Sequence, residues 1–125
     1  MVSKNLKVII FVAFLIVALF VYATVKNSNP NGSYDTFAGC ISENGIKMYG
    51  AYWCNHCQNQ KKEFGRSFKF VDYIECTQKQ EECDKASIKG YPTWIFADGS
   101  RHEGEISFEK LAEKTGCELK KDVVR

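Results

Sequence analysis

Two cysteines stand two residues apart in Tyr52-Trp53-Cys54-Asn55-His56-Cys57-Gln58. That spacing suits three chemistries: a redox dithiol, half of a zinc site, or a structural bridge. A cysteine on a strand-to-helix turn meets the unpaired N–H groups and the positive end of the helix dipole, which stabilise a thiolate. Cys54 holds that position, so it is the expected nucleophile. Cys57 follows one helical turn later, close enough to close a small-ring disulfide with Cys54 or to resolve a mixed one. Being inside the helix, it is the expected buried partner. His56 can give the Cys54 thiolate a hydrogen bond or a positive charge, which stabilises the reduced form and makes the disulfide a stronger oxidant. The plainer reading of His56 is a solvated helix residue, and that is the expected role of His102 in an edge strand.

The elements needed to position these residues can be read from the pattern. Tyr34–Glu43 reads as a helix with Phe37, Ala38 and Ile41 on one side, ending near Asn44-Gly45. Ile46–Ala51 is a short apolar strand, and Asn55–Phe64 a helix closing at Gly65. Phe70–Ile74 alternates as a strand, and Thr77-Gln78-Lys79-Gln80 has the form of a capping box ahead of a helix to Ser87. Thr93–Ala97 and Arg101–Glu105 flank the turn signal Asp98-Gly99. Ser107–Thr115, with Phe108, Leu111 and Ala112 inward and Gly116 behind, closes the order as a helix. The predicted class is α/β: a helix, then β-α-β-α-β-β-α on a mixed sheet.

A different segment precedes this domain. From Val8 to Val25 the chain carries no charge and only Thr24 is polar. At about 1.5 Å per residue the run spans roughly 27 Å, near the thickness of a bilayer's hydrocarbon core. A buried core helix is a poor alternative in so small a domain. A cleaved signal peptide is a better one, but its apolar region is usually shorter, and Ala23-Thr24-Val25 is a weak cleavage site. Lys4 and Lys7 before the segment lean toward a cytoplasmic N-terminus and an extracytoplasmic domain. The division expected is an anchor at 1–26, a linker at 27–33, the domain at 34–117 and a solvated tail at 118–125.

Charge and cysteine usage agree with that placement. Lys4, Lys7 and Lys26 belong to the first segment and no acid does, so the 17 basic and 15 acidic residues of the whole chain leave the remainder slightly acidic. It offers no basic field for nucleic acid. All six cysteines lie beyond the anchor, an even number that reads as a disulfide framework in an oxidising compartment. Cys76 and Cys83 would clasp a strand-to-helix loop or serve as a second relay pair. Cys40 and Cys117 pair by elimination, although six cysteines allow 15 connectivities. As zinc ligands, Cys54, Cys57, Cys76 and Cys83 space the second pair too widely for a ribbon, so no metal is expected.

Trp53-Cys54-Asn55-His56-Cys57 after a strand, followed by Gly90-Tyr91-Pro92-Thr93, resembles the thioredoxin superfamily. The resemblance implies that Pro92 is cis and faces the dithiol, that Tyr91 and Thr93 hold a substrate chain, and that Trp53 flanks the site. Trp94 is expected in the core. A closer likeness, from Phe37 to Cys117, is to the thioredoxin-like domains fused to or working beside bacterial and archaeal vitamin K epoxide reductase homologues. It rests on Lys47–Cys54, His56-Cys57, Gln60-Lys61, Phe64-Gly65, Tyr73–Cys76 and Gly90–Trp94. In those domains a second cysteine pair occurs in the region of Cys76 and Cys83.

The likeness implies a thiol-disulfide oxidoreductase that oxidises cysteine-containing substrate proteins. A membrane quinone reductase of the vitamin K epoxide reductase type would reoxidise it, with no cofactor in this chain. A reductase or isomerase, and a redox-silent adaptor, are the alternatives. Two departures stand out. Many relatives carry proline where this chain has Asn55. Met48 occupies the offset at which thioredoxin proper has a buried aspartate, so the sequence shows no evident acceptor for the Cys57 proton.

Overall fold

The computed structural model describes residues 3–27 and 33–123, so most of the expected linker lies outside the described residues. These residues form two separate compact units. The first is helix α1, Lys4–Asn27. Its stretch Lys4–Ala23 has a mean hydropathy of 2.8, with none of it buried. It is long and apolar enough to cross a membrane. An N-terminal signal sequence has the same character.

The second unit is a mixed α/β domain. Its elements are α2 (Asp35–Glu43), β1 (Lys47–Gly50), α3 (Asn55–Phe64), a 3-10 segment (Gly65–Phe70), β2 (Asp72–Glu75), α4 (Gln80–Lys85), β3 (Thr93–Ile95), β4 (Arg101–Glu103) and α5 (Phe108–Thr115). The four strands lie in the order β2-β1-β3-β4. β1 is parallel to β2 and antiparallel to β3, which pairs with β4 as a hairpin. The element order and the mixed sheet are the α/β arrangement expected from the sequence pattern, and they fit the thioredoxin-like fold that the resemblance implies.

The period of two along each strand divides the core. Met48 and Trp94 point to one face, where they pack with Phe37, Ala38 and Ile41 of α2, Cys57 and Phe64 of α3, and Phe108 and Leu111 of α5. Tyr49 and Ile74 point to the other face and meet Cys76 and Cys83 beneath α4. Trp94 is fully buried. Phe64 is central to the larger core, with ring centroids 4.5 Å from Phe108 and 6.2 Å from Trp94.

Most helix ends follow local chemistry. Ser107 caps α5 by accepting from Lys110 N–H at 3.3 Å, and Gly116 ends it with φ +72°, a conformation costly for residues with a Cβ. The capping box at Thr77 does not form. The N-cap of α4 is Lys79, two residues further on, and the Thr77 hydroxyl donates to Glu75 Oε1 at 2.7 Å. The sequence pattern predicts no helix at Gly65–Phe70, where the 3-10 segment forms. Its buried Ser67 accepts from Tyr34 N–H at 2.8 Å and donates to Asp35 at 2.6 Å, tying the segment to the start of α2.

Part of the segment expected to be a solvated tail is tied down. Asp122 N–H donates to Ser33 O at 2.7 Å, and the Asp122 carboxylate accepts from Thr36 N–H at 3.1 Å, next to the start of α2. Leu119 packs against the core.

Two disulfides complete the domain, Cys40–Cys117 and Cys76–Cys83, with sequence separations of 77 and 7. Loop-closure entropy grows with the length of the loop, so the first constrains the unfolded chain more. Replacing both Cys40 and Cys117 by serine is expected to lower stability by roughly 2–5 kcal/mol. The same change at Cys76 and Cys83 should cost less. Denaturant titration of each variant checks the order.

Candidate active site

Cys54 and Cys57 are the free cysteines of the domain. Strand β1 ends at Gly50, and the turn through Tyr52 and Trp53 delivers Cys54 to the N-cap of α3 with φ −78° and ψ 118°. There its sulfur accepts from Cys57 N–H at 3.4 Å, taking the place an oxygen fills in ordinary caps. A second partner is the carbonyl of Tyr91, which accepts from the Cys54 thiol at 3.5 Å. Cys54 is nearly buried, at 8% exposure, and Cys57 is wholly so.

The two sulfurs therefore have different surroundings. Burial pushes the Cys57 thiol up to about 12, and Cys54 adds to the rise through a hydrogen bond and its charge. The Ala51 backbone and the Lys61 ammonium act the other way and are outweighed.

Gly50 makes this packing possible. A Cβ there would stand 2.9 Å from Cys57 Sγ and 3.0 Å from the Tyr73 ring, both tighter than carbon atoms tolerate. The glycine is needed for close approach, with no unusual backbone angle involved.

The Tyr91–Pro92 bond is cis. Pro92 is buried, and its carbonyl accepts from Gly104 N–H at 2.7 Å. Trp53 is largely exposed and meets Tyr91 edge-on at 5.9 Å, so these two rings and the neighbouring exposed Tyr52 border the dithiol. Thr93 differs from the groove role expected of it. It is buried, and its hydroxyl donates to Gly90 O at 2.8 Å, which braces the loop.

His56 also has a different partner from the one expected. Its side chain is exposed, and Nδ1 pairs with Glu105 Oε1 at 2.8 Å, away from Cys54. Asn59 donates to the same oxygen at 3.0 Å. Hydrogen bonding to His56 and then Asn59 holds the Glu105 carboxyl below its ordinary value. Gln60, buried behind it, bonds both the N–H and the carbonyl of Ile106, so the start of α3 is fastened to the loop after β4. His102 is half-buried, with Nε2 at 3.0 Å from Glu105 O, a backbone contact in place of the solvent exposure expected.

Lys61, Tyr73 and Glu75 lie in stretches that carry the resemblance, but the sequence alone gives them no site role. The alternation of β2 carries the signal, since residues 73 and 75 share a strand face. The Tyr73 hydroxyl donates to Glu75 Oε2 at 2.7 Å, and Lys61 Nζ lies 3.9 Å above the Tyr73 ring. Burial raises the Tyr73 phenol, and Glu75 raises it further. Burial also pushes the Glu75 carboxyl up, but hydrogen bonds from Thr77, Tyr73 and Tyr52 outweigh it and leave the group below its ordinary value. Among the described residues no cluster of side chains is suited to hold a metal ion.

No family model matches the chain. The chain is 45% identical over 84 residues to thiol-disulfide oxidoreductase LTO1 of Arabidopsis thaliana, covering 60% of this chain and 22% of that protein. It is 35% identical over 79 residues to the thioredoxin domain-containing protein 5 homolog of Drosophila melanogaster, covering 55% and 19%. The chain thus spans about a fifth of the length of these curated relatives. Among solved structures it is similar to Fasciola hepatica thioredoxin, with TM-score 0.42 and 21% identity over 57% of this chain and 76% of that one. It is also similar to the Trx4 domain of ERdj5, with TM-score 0.39 and 28% identity over 54% and 72%. The curated relatives and the domain's own topology support a place in the thioredoxin-like superfamily. Within it, the named likeness is to thiol-disulfide oxidoreductases.

Two outcomes are expected from this geometry. Once the Cys54–Cys57 pair is selectively reduced, brief alkylation at pH 7 should label Cys54 and spare Cys57. Labelling of Cys57 should rise about tenfold per pH unit until pH approaches its value of about 12, because only the thiolate reacts. Peptide mass mapping after quenching reads both. Gly50→Ala should destabilise the domain by roughly 1–3 kcal/mol through overpacking, measured by denaturant titration.

Proposed function

We propose that the chain is a thiol-disulfide oxidoreductase, held at a membrane by α1, whose domain works outside the cytoplasm on cysteine-containing proteins. One observation carries this reading: four cysteines are bridged, while the remaining two sit at a helix start as a paired capping thiol and buried thiol. The named likeness to thiol-disulfide oxidoreductases supports the chemistry. The long uncharged run within α1 supports the anchor.

In the oxidising direction a substrate thiolate attacks Cys54 Sγ of the Cys54–Cys57 disulfide, and Cys57 leaves as a thiolate that takes up a proton. A second substrate thiolate then attacks the substrate sulfur of the mixed disulfide and expels the Cys54 thiolate. The substrate loses two electrons and the dithiol gains them. A membrane quinone reductase of the vitamin K epoxide reductase type would withdraw those electrons. Tyr91 and Trp53 border the position where the substrate chain would lie against Cys54.

The reverse reaction, a reductase or isomerase, is the second reading, and the His56–Glu105 pair favours it. A carboxylate at 2.8 Å offsets the positive charge that His56 would otherwise bring to a Cys54 thiolate. The reduction potential separates the two: near −120 mV indicates an oxidant and near −270 mV a reductant.

The direct test is trapping. The Cys57→Ala chain, expressed in its native membrane, is expected to accumulate mixed disulfides through Cys54 that dithiothreitol releases. Cys54→Ser should accumulate none. Equal capture by both variants would sink the oxidoreductase reading.

A further inference from the structure

In either direction of the reaction proposed above, Cys57 must exchange a proton while it has no contact with solvent. Only its thiolate can attack the mixed disulfide on Cys54, and burial opposes that form. The residue beneath it on β1 is Met48, which has no proton to give or accept. The register of the parallel strands sets Met48 beside Tyr73. Tyr73 packs against the same core cluster as Met48 and Cys57. At Gly50, a Cβ would lie 2.9 Å from Cys57 Sγ and 3.1 Å from the Tyr73 hydroxyl oxygen, so thiol and phenol flank one bare glycine.

Behind the phenol stands a carboxylate that accepts its hydrogen bond. Tyr73 Oη donates to Glu75 Oε2 at 2.7 Å. The other oxygen, Oε1, accepts from the Thr77 hydroxyl at 2.7 Å, Thr77 N–H at 3.3 Å and Tyr52 N–H at 3.2 Å. These bonds keep Glu75 ionised and fix its direction. Glu75 is only half-buried, so it meets solvent where Cys57 does not.

We propose that Tyr73 and Glu75 form the proton-exchange path of Cys57, with Tyr73 as the exchanging group and Glu75 as the residue that positions and drains it. As the mixed disulfide is resolved, Cys57 Sγ, which is not hydrogen-bonded to the phenol in the reduced pair, closes on Tyr73 Oη across the bare Gly50 and passes its proton there, while the Tyr73 proton passes to Glu75 Oε2 and on to water. The Cys57 thiolate attacks Cys54 Sγ. The Cys54–Cys57 bond forms, the bond from Cys54 to the partner sulfur breaks, and the partner leaves as a thiolate with the electron pair. The reverse step returns a proton to Cys57 by the same path. The groups facing it are Cys54, Cys57, Lys61, Tyr73 and Glu75; Lys61 Nζ lies over the Tyr73 ring, and its charge favours the Cys57 thiolate.

This rests on the oxidoreductase reading, and the test separates the two. Full-length chain in detergent, reduced at Cys54 and Cys57 alone, is mixed with oxidised glutathione and acid-quenched. Intact-mass measurement then follows the glutathione adduct on Cys54 and its resolution by Cys57. Tyr73→Phe keeps the ring volume and the place beneath Lys61, and Glu75→Gln keeps an amide oxygen as acceptor. Both are expected to form the adduct at the wild-type rate, which also shows that they are folded. Both should resolve it roughly tenfold or more slowly at pH 7, with the pH profile of resolution displaced upward. Resolution within twofold of wild type at every pH in both variants would overturn the path. A wild-type chain that forms no adduct would overturn the oxidoreductase reading and the path with it.

Discussion

The domain is arranged around a thiol that must be buried and still reactive. Cys57 lies inside α3 against the end of β1, and that contact exists only because residue 50 has no side chain. Burying the thiol holds it protonated, so it does not react at random with solvent or passing disulfides. The same burial makes its single useful reaction depend on what the neighbouring strand supplies. An alanine at residue 50 would force Cys57 Sγ or the Tyr73 ring to shift from its place. The close approach of one helix turn to one strand end thus decides both the asymmetry of the dithiol and the identity of its neighbours.

Several contacts keep that approach in place. Gln60 forms paired hydrogen bonds with Ile106, and Glu105 holds both His56 and Asn59, so α3 is fastened near its start to the loop after β4. Phe64 anchors its far end in the aromatic cluster with Phe108 and Trp94. On the other side Glu75 bonds the Tyr52 backbone, linking the turn before Cys54 to the strand that leads into Cys76–Cys83. The buried pair at Gln60 gives modest net stability, but leaving either bond unmade is costly, so it helps specify one arrangement of the helix start.

Much of the fold is legible in the sequence because it depends on local chemistry. The Asp98-Gly99 turn, the Ser107 cap, the Gly116 stop and the alternation of β2 each declare themselves within a few residues. The errors share a cause. Thr77 has the spacing of a helix cap, yet α4 starts two residues later, after Lys79, and the Thr77 hydroxyl goes to Glu75. His56 sits beside Cys54 in sequence, yet its partner is Glu105, brought in by the β3–β4 hairpin from 49 residues away. Thr93 follows Pro92, but its side chain turns inward to Gly90.

Tyr73 shows most clearly where local reading stops. Its stretch carries part of the family likeness, but nothing near it in the chain gives it a role beyond that of a strand residue. Its position becomes meaningful only through the parallel pairing of β1 with β2, in which Met48 meets Tyr73 and Gly50 meets Glu75. A one-residue slip of that register would turn Tyr73 to the opposite face and leave Cys57 with neither phenol nor carboxylate nearby. The apolar Met48 and the polar pair across from it are therefore best read together. A methionine on the central strand excludes a charge directly beneath the thiol, and the edge strand supplies the ionisable group one step farther out, where solvent can reach it. That displacement leaves the core apolar while keeping a route for the proton, and it ties the chemistry of Cys57 to strand register as firmly as to the cysteine motif itself.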